Sequence, residues 1–394
     1  MNINQKFDEG ELRAQFDRTF RFGIGQVENM LPKWPANKPA PIYTENGVWT
    51  RPSFIWTDWC PGFYAGMMWL AHEYTGDAKW REHAEEYTRA LEHRKFDRDV
   101  HDLGFIFMST ADRWYRLLSD DDPTKQWLKD LLVTAGTIQS FRWKETGDDH
   151  YVYSFNGPQS LFIDIMMNIR ILFRAHQLGG SEELYRKAVT HARTTEKYLV
   201  RKDGAGLMDR DGIVLHEGIF NPVKGEFRNL STQQGYSPFT CWARGLAWAL
   251  YGFTDTFLFT GEPLFLETAE RCARYYLQNT PDNGVPYWDY GAPNIPDEPL
   301  DSSAAAIAAV AFWKLKDIKG IGENAVVYRN AALTILSTLT SGEFSGDESS
   351  EGILRHGVYH RPMGWGVDES VMWGDYFFME ALYLVLNELR ESEH

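Results

Sequence analysis

One unit recurs four times along the chain, and it restricts the available folds more than any other feature. Thr75-Gly-Asp-Ala-Lys-Trp-Arg-Glu-His-Ala84 runs on to Tyr87 and Leu91, and Gly180-Ser-Glu-Glu-Leu-Tyr-Arg-Lys-Ala188 runs on to Tyr198 and Leu199. Thr260-Gly-Glu-Pro-Leu-Phe-Leu-Glu-Thr-Ala269 runs on to Tyr276 and Leu277, and a weaker copy spans Gly322 to Ala331. Each reads as a turn, a helix start, an aromatic residue and a small residue. The aromatic and the alanine (Trp80 and Ala84, Tyr185 and Ala188, Phe265 and Ala269, Tyr328 and Ala331) stand three or four positions apart, so they share one helix face. Acids near each start suit the positive end of a helix. Apolar segments precede the copies at Phe63–Tyr74, Ile163–Gln177, Ala243–Thr260 and Ser302–Lys316. They are apolar nearly all round, as buried helices are. A buried helix, a turn and an amphipathic helix make an αα-hairpin, and such hairpins repeated around an axis close into a ring. Helices near 104–118, 124–140 and 369–390 would complete it.

Strand signals are thin. Short strands are expected at Val152–Phe155, Ile213–Leu215 and Val358–His360, all between helices. Loops at 145–160, 203–240, 280–301 and 341–368 are long, and loops of that length are usually functional or disordered. Their Trp, Tyr and His content argues for function. No linker divides the chain, so residues 1–394 are read as a single domain.

The net charge of −15 makes a basic face for nucleic acid or anionic lipid an unsuitable expectation, although a few local cations would suffice for an anionic small molecule. Cys60, Cys241 and Cys272 are widely spaced, which suggests neither a zinc site nor a disulfide framework. No metal and no cofactor are expected. Met1 to Phe22 lacks an apolar leader and no run is long enough for a membrane helix, so the expected address is the cytoplasm. Glycine-rich nucleotide loops, GxSxG and HExxH are absent.

Two aspartates stand where a charge is hard to explain. Asp102 lies in Val-His-Asp-Leu-Gly-Phe (100–105) and Asp164 in Ser-Leu-Phe-Ile-Asp-Ile-Met-Met-Asn (160–168). Carboxylates are rarely buried without a partner. Asp164 pairing with Arg170 or Arg174 is one account, but neither lies at helical i+3 or i+4 spacing. Asp102 beside His101 could cap a helix starting at Leu103, act in catalysis, or do both. Two such acids suggest acid–base work on a sugar. The aromatic content, 15% of residues, fits sugar stacking as well as a large core. In Trp56-Thr-Asp-Trp59, Trp59 is a stacking platform or a core residue. His216 and Gln234 precede Trp242, Arg244 and Trp248 at a helix start. These rings and the guanidinium could grip a sugar acid or form a structural cation–π cluster. The segment His356 to Ser370, with Tyr359 and Arg361, suits the rim of a pocket.

Taken in order, these motifs resemble the unsaturated glucuronyl hydrolases of glycoside hydrolase family 88. The resemblance runs from about Trp56 to Glu380. It rests on Trp-x-x-Gly-Phe (59–63), His-Asp-Leu-Gly-Phe (101–105), Ile-Asp-x-Met-Met-Asn (163–168) and Gln-Gly-Tyr-Ser…Trp-Ala-Arg-Gly-x-Ala-Trp (234–248). Asp-Ser-Ser-Ala-Ala-Ala (301–306) and Gly-Val-Asp-Glu-Ser-x-x-Trp-Gly-Asp-Tyr (366–376) extend it. It implies an all-α (α/α)6 barrel and removal of a Δ4,5-unsaturated uronic acid from oligosaccharides made by lyases, through hydration of the C4=C5 bond. By the resemblance Asp164 is the general acid and base, and an ionised Asp102 is its partner. Trp59, His101, Trp143, His216, Gln234, Trp242, Arg244, Trp248 and Tyr359 would bind the sugar, and Arg361 another anionic group. Members that prefer sulfated substrates carry Ser-x-x-Ser-x-Lys after the tyrosine. Here His360, Met363 and Trp365 replace those residues, so weak recognition of a 6-sulfate is expected. A rhamnogalacturonyl hydrolase and a non-catalytic sugar-binding barrel are the competing expectations. The partner is an unsaturated uronic-acid oligosaccharide, and the chain acts as a monomer or homodimer.

Overall fold

The computed structural model describes residues 1–53, 57–147, 149–202, 211–346 and 349–391. Trp56 and part of the 203–240 loop lie outside the described residues. The chain alternates outer and inner helices. Outer α1 (Glu9–Met30) precedes inner α2 (Pro61–Thr75) and outer α3 (Ala78–Ala90). Inner α4 (Leu103–Met108) and α5 (Ala111–Leu117) precede outer α6 (Pro123–Ser140). Inner α7 (Ile165–Asn168) and α8 (Arg170–Gln177) precede outer α9 (Glu182–Leu199). The series continues with inner α10 (Ala243–Thr260), outer α11 (Pro263–Asn279), inner α12 (Ser302–Leu315), outer α13 (Asn324–Leu339) and inner α14 (Met372–Glu391). Each inner segment packs against the next, and α14 returns onto α2, so the ring closes as an (α/α)6 barrel.

The repeated unit has a physical basis in this ring. Gly76 and Gly261 end α2 and α10 in the left-handed conformation, and their N–H groups bond to the carbonyls of His72 and Phe257. Only glycine does this without steric cost. Asp77 then caps α3 by accepting from Lys79 N–H. The aromatic and alanine of each copy face the inner ring. Trp80, Ala84, Phe265, Ala269, Tyr328, Ala331 and Ala188 are buried, whereas Tyr185 is half-buried.

Helix α1 has no counterpart in the sequence expectation, yet it supplies the outer partner of α14. Its buried residues Leu12, Phe16, Phe20, Val27 and Met30 recur at helical spacing, and Asp8 caps it. The expected 104–118 helix divides at Ser109–Thr110, and the expected 163–177 helix divides at Ile169.

Short sheets lie in the loops before the inner helices. They are the pair β1 (Tyr43–Glu45) and β2 (Val48–Thr50), the pair β3 (Trp143–Thr146) and β4 (Asp149–Val152), and the three strands β5 (Ser160–Phe162), β6 (Glu217–Phe220) and β7 (Phe227–Ser231). A last antiparallel pair joins β8 (Gly357–His360) to β9 (Trp365–Glu369). The strand expected at Val358–His360 is β8. The one expected at Val152–Phe155 ends at Val152, and that at Ile213–Leu215 reduces to a bridge from Val214 to Val200. Among the described residues, no helix is long and apolar enough to cross a membrane.

Candidate active site

All six inner segments begin at the same end of the barrel, and there the loops gather chemistry-bearing side chains. One cavity is lined by Thr57, Trp59, His101, Asp102, Phe105, Phe155, Phe162, Asp164, Gln234, Arg244, Trp248 and Tyr359. The two aspartates, some sixty positions apart in sequence, therefore share one wall.

Asp164 does not sit inside a helix. It stands between β5 and α7, because Phe162 pairs with Glu217 and Ile163 N–H donates to His216 O at 3.0 Å. This pairing carries His216 and Glu217 to the acid. Neither arginine considered as a partner reaches it, since Arg170 pairs with Asp255 and Arg174 with Asp112. Asp164 Oδ1 is buried with no hydrogen-bond partner among the described residues. Asp102 occupies the N-cap position of α4 but makes no capping bond. Its Oδ1 accepts instead from Asn168 Nδ2 at 3.2 Å and lies 3.4 Å from His101 Nε2.

Each acid faces a histidine of fixed tautomer. Phe155 N–H donates to His101 Nδ1 at 3.0 Å, and Gln233 N–H donates to His216 Nδ1 at 3.1 Å. A ring nitrogen that accepts carries no proton, so both Nε2 atoms bear hydrogen. His101 directs its Nε2–H at Asp102, and His216 Nε2 lies 4.0 Å from Asp164 Oδ1. Burial, assisted by the charge of Arg244, pushes His216 down to about 3, and burial pushes His101 well below its usual value. Both rings are neutral donors at neutral pH.

Burial and then the charge of Asp164 push the Asp102 carboxyl up to about 8, and burial pushes Asp164 up to about 7. Burial and the neighbouring charge therefore work against an ionised Asp102. Near neutral pH the two carboxyls hold a proton between them. Hydrogen bonds favour the charged form of the acid that accepts them. Asn168 donates to Asp102, whereas the charge of Arg244 and a backbone hydrogen bond act on Asp164, so each acid has its own stabilising partner.

Arg244 is buried against the rings of Trp242 and Trp373, with its guanidinium carbon 4.4 and 4.9 Å from their centroids. It lies 3.6 Å from Asp301 Oδ2 and donates to the carbonyls of Val358 and Tyr359 and to Gln234 Oε1. Gln234 therefore turns its NH2 toward the cavity. Trp59 stacks obliquely on Trp373 at 4.7 Å and on Phe105 at 5.4 Å, which fixes an aromatic wall.

Four of the expected residues do not line this cavity. His216 stands behind Asp164. Trp242 lies beneath Arg244 in the cation–π arrangement. Trp143, on β3, stacks on His150 with Lys187 over its ring. Arg361 lines a neighbouring cavity. The sequence reasoning did not single out Asn168, Glu217 or Asp301. Asn168 and Asp301 were visible as members of quoted motifs, and Glu217 as the residue after His216. Asp375 warns against reading the pKa alone. It too is pushed up to about 7 by burial, yet it only accepts from Ile353 and Leu354 N–H. Among the described residues no group of His, Cys, Asp and Glu is arranged to hold a metal.

Comparison with known proteins agrees with this arrangement. The chain is 34% identical to an unsaturated glucuronyl hydrolase of Formosa agariphila over 82% of its length and 79% of the relative. It is 33% identical to an unsaturated glucuronyl hydrolase of Bacillus sp. over 83% of its length and 85% of the relative. A solved UGL structure with dGlcA-Glc-Rha-Glc superposes with a TM-score of 0.82 at 28% identity, covering 93% of this chain and 96% of the other. The family model described as Glycosyl Hydrolase Family 88 matches residues 27–289, and the chain belongs to that family.

Proposed function

We propose that this glycoside hydrolase removes a Δ4,5-unsaturated glucuronic acid from the non-reducing end of lyase-generated oligosaccharides by hydrating the C4=C5 vinyl ether. One observation carries the reading: two carboxyls share one cavity, and burial holds both well above the usual carboxylate range. Protonating carbon requires an acid that still holds its proton near neutral pH, and burial gives Asp164 that property. Asp164 delivers its proton to C4. The cation that develops at C5 and the ring oxygen is stabilised by Asp102 as its charge grows. Water then adds at C5 and returns a proton to Asp164. The resulting hemiketal opens and releases the remaining sugar. Attack never occurs at C1, so the spacing of the two acids does not report retention or inversion. Gln234, which lines the cavity, is proposed to hold the sugar's oxygens, while His216 backs Asp164.

The direct test follows the ultraviolet absorbance of the C4=C5 bond with unsaturated disaccharides from hyaluronan, chondroitin, heparin and rhamnogalacturonan. The expected result is loss of the absorbance, fastest with an unsulfated glucuronyl disaccharide. Tight binding with undiminished absorbance would leave only a sugar-binding barrel. Fastest loss with the galacturonyl-rhamnose product would make it a rhamnogalacturonyl hydrolase.

The pH profile should carry the signature of the acid. The protonated form of Asp164 is the active one, so kcat falls as pH rises through about 7. A kcat that keeps rising beyond pH 8 would contradict the assignment. Cys60, Cys241 and Cys272 are free and buried, which supports a reducing compartment such as the cytoplasm.

A further inference from the structure

Glu217 is a third carboxyl beside the two acids, and the reaction described above makes no use of it. It is buried and does not line the cavity. Phe162 pairs with Glu217 across β5 and β6, and Asp164 follows Phe162 by two residues. Asp164 therefore stands diagonal to Glu217 where this pair is extended. Diagonal neighbours in an antiparallel pair lie about 7–8 Å apart, within electrostatic reach.

Glu217 is held in place. Its Oε1 accepts from Ser160 Oγ at 2.6 Å and from Asn156 Nδ2 at 3.1 Å, while Oε2 is buried with no hydrogen-bond partner among the described residues. Neither donor is a cation, so the charge of Glu217 acts on its surroundings. Asp164 is faced by His216 and Glu217 from the β6 side, by Arg244 from α10 and by Asp102 from the start of α4. Burial keeps His216 neutral. Beyond the burial of Asp164 itself, Arg244 favours its ionised form and Glu217 opposes it. Asp102 feels a different set. Beyond its burial, the charge of Asp164 raises it, whereas Arg142, Arg94 and the Asn168 donor favour its ionised form. Once Asp164 holds the proton, the charge opposing Asp102 is gone, whereas Glu217 still acts on Asp164.

We infer that Glu217 is a positioning residue of the reaction: its charge keeps the proton shared by the two acids on Asp164, from which it is delivered to C4. The inference rests on the proposed hydration reaction and adds the group that assigns the proton within the pair.

The test is the pH profile of kcat with an unsaturated glucuronyl disaccharide. Glu217→Gln keeps an acceptor for Ser160 and Asn156 but removes the charge. The alkaline limb of kcat is expected to move down by about one pH unit, so that kcat at pH 8 falls about tenfold while KM changes little. Glu217→Ala, also uncharged, is expected to show the same displacement. Glu217→Asp keeps the charge and is expected to retain the wild-type limb. A residue that only braced the turn at Ser160 would instead lower kcat equally at every pH, and most in the alanine variant. That outcome would overturn the inference, as would an unmoved limb in either neutral variant that melts cooperatively, or a limb displaced as far in Glu217→Asp. A wild-type enzyme that leaves the C4=C5 absorbance intact would overturn the hydration reading itself.

Discussion

Replacing Asp164 by asparagine is expected to lower kcat by about a thousandfold or more while leaving the fold and sugar binding in place, the scale set by removing a positioned general acid. Asparagine keeps the shape but cannot deliver a proton to carbon or accept one from water. The variant is also expected to be more stable than the wild type in alkali. The carboxyl is pushed up from its unfolded value of 3.8 to about 7. A raised carboxyl adds most stability below its unfolded pKa, and that contribution is lost as pH rises through the folded value. Between about pH 4 and 7 the buried acid therefore becomes a growing burden, which asparagine lacks. Thermal melts at pH 5 and pH 9, with turnover at pH 6.5, check both statements. Normal turnover would remove Asp164 from its role, and a lower Tm at pH 9 would contradict the account of its burial. Asp375→Asn provides the contrast, because that acid is raised to the same value but accepts from the backbone N–H groups of Ile353 and Leu354 and does not line the cavity.

The second large effect is expected at Gly104. A Cβ there would stand 2.5 Å from Asn168 Cα and 2.7 Å from Asn168 O, both backbone atoms that cannot swing aside. The contact also sets the spacing of the two acids. Asn168 donates to Asp102 and to the carbonyl of Asp164, and accepts from Phe105 N–H at 2.9 Å. Gly104→Ala must push α4 away from α7 and draw Asp102 from Asp164. Overpacking of this kind costs about 1–3 kcal/mol, and a displacement near 1 Å at reacting groups lowers rate by about a hundredfold. Chemical denaturation and kcat measured on the same preparation test it. Wild-type values for both would show that the two helices can separate freely.

The parts of the fold that the sequence displayed were those with a strong local rule. Thr-Gly turns followed by an aromatic and an alanine marked the hairpins, and the all-round apolar helices marked the inner ring. Helix α1 was less visible because its Leu12-Phe16-Phe20 stripe lies within polar sequence and lacks the Thr-Gly signal. Asp164 shows a different limit. Ser160–Phe162 and Ile165–Asn168 are both apolar, and an apolar run of that length does not distinguish a buried strand from a buried helix. The acid's position came from the pairing of β5 with β6, a long-range event that no local pattern records. The same holds for Trp242 and Arg244. Their proximity was legible, but the ion pair to Asp301, some sixty residues on, decides how the guanidinium is used.

The common direction of the inner helices has an electrical consequence. In α2, α10, α12 and α14 the peptide dipoles point their positive ends at the acids' cavity and their negative ends at the far mouth. At that far mouth stand Arg113, Arg116, Arg170, Arg174 and Lys314, cations that counter the helix ends, and each is ion-paired with an acid. The barrel is therefore polarised along its axis. In a protein of net charge −15, the aligned helix N-termini supply positive potential at the end of the barrel where the two acids stand.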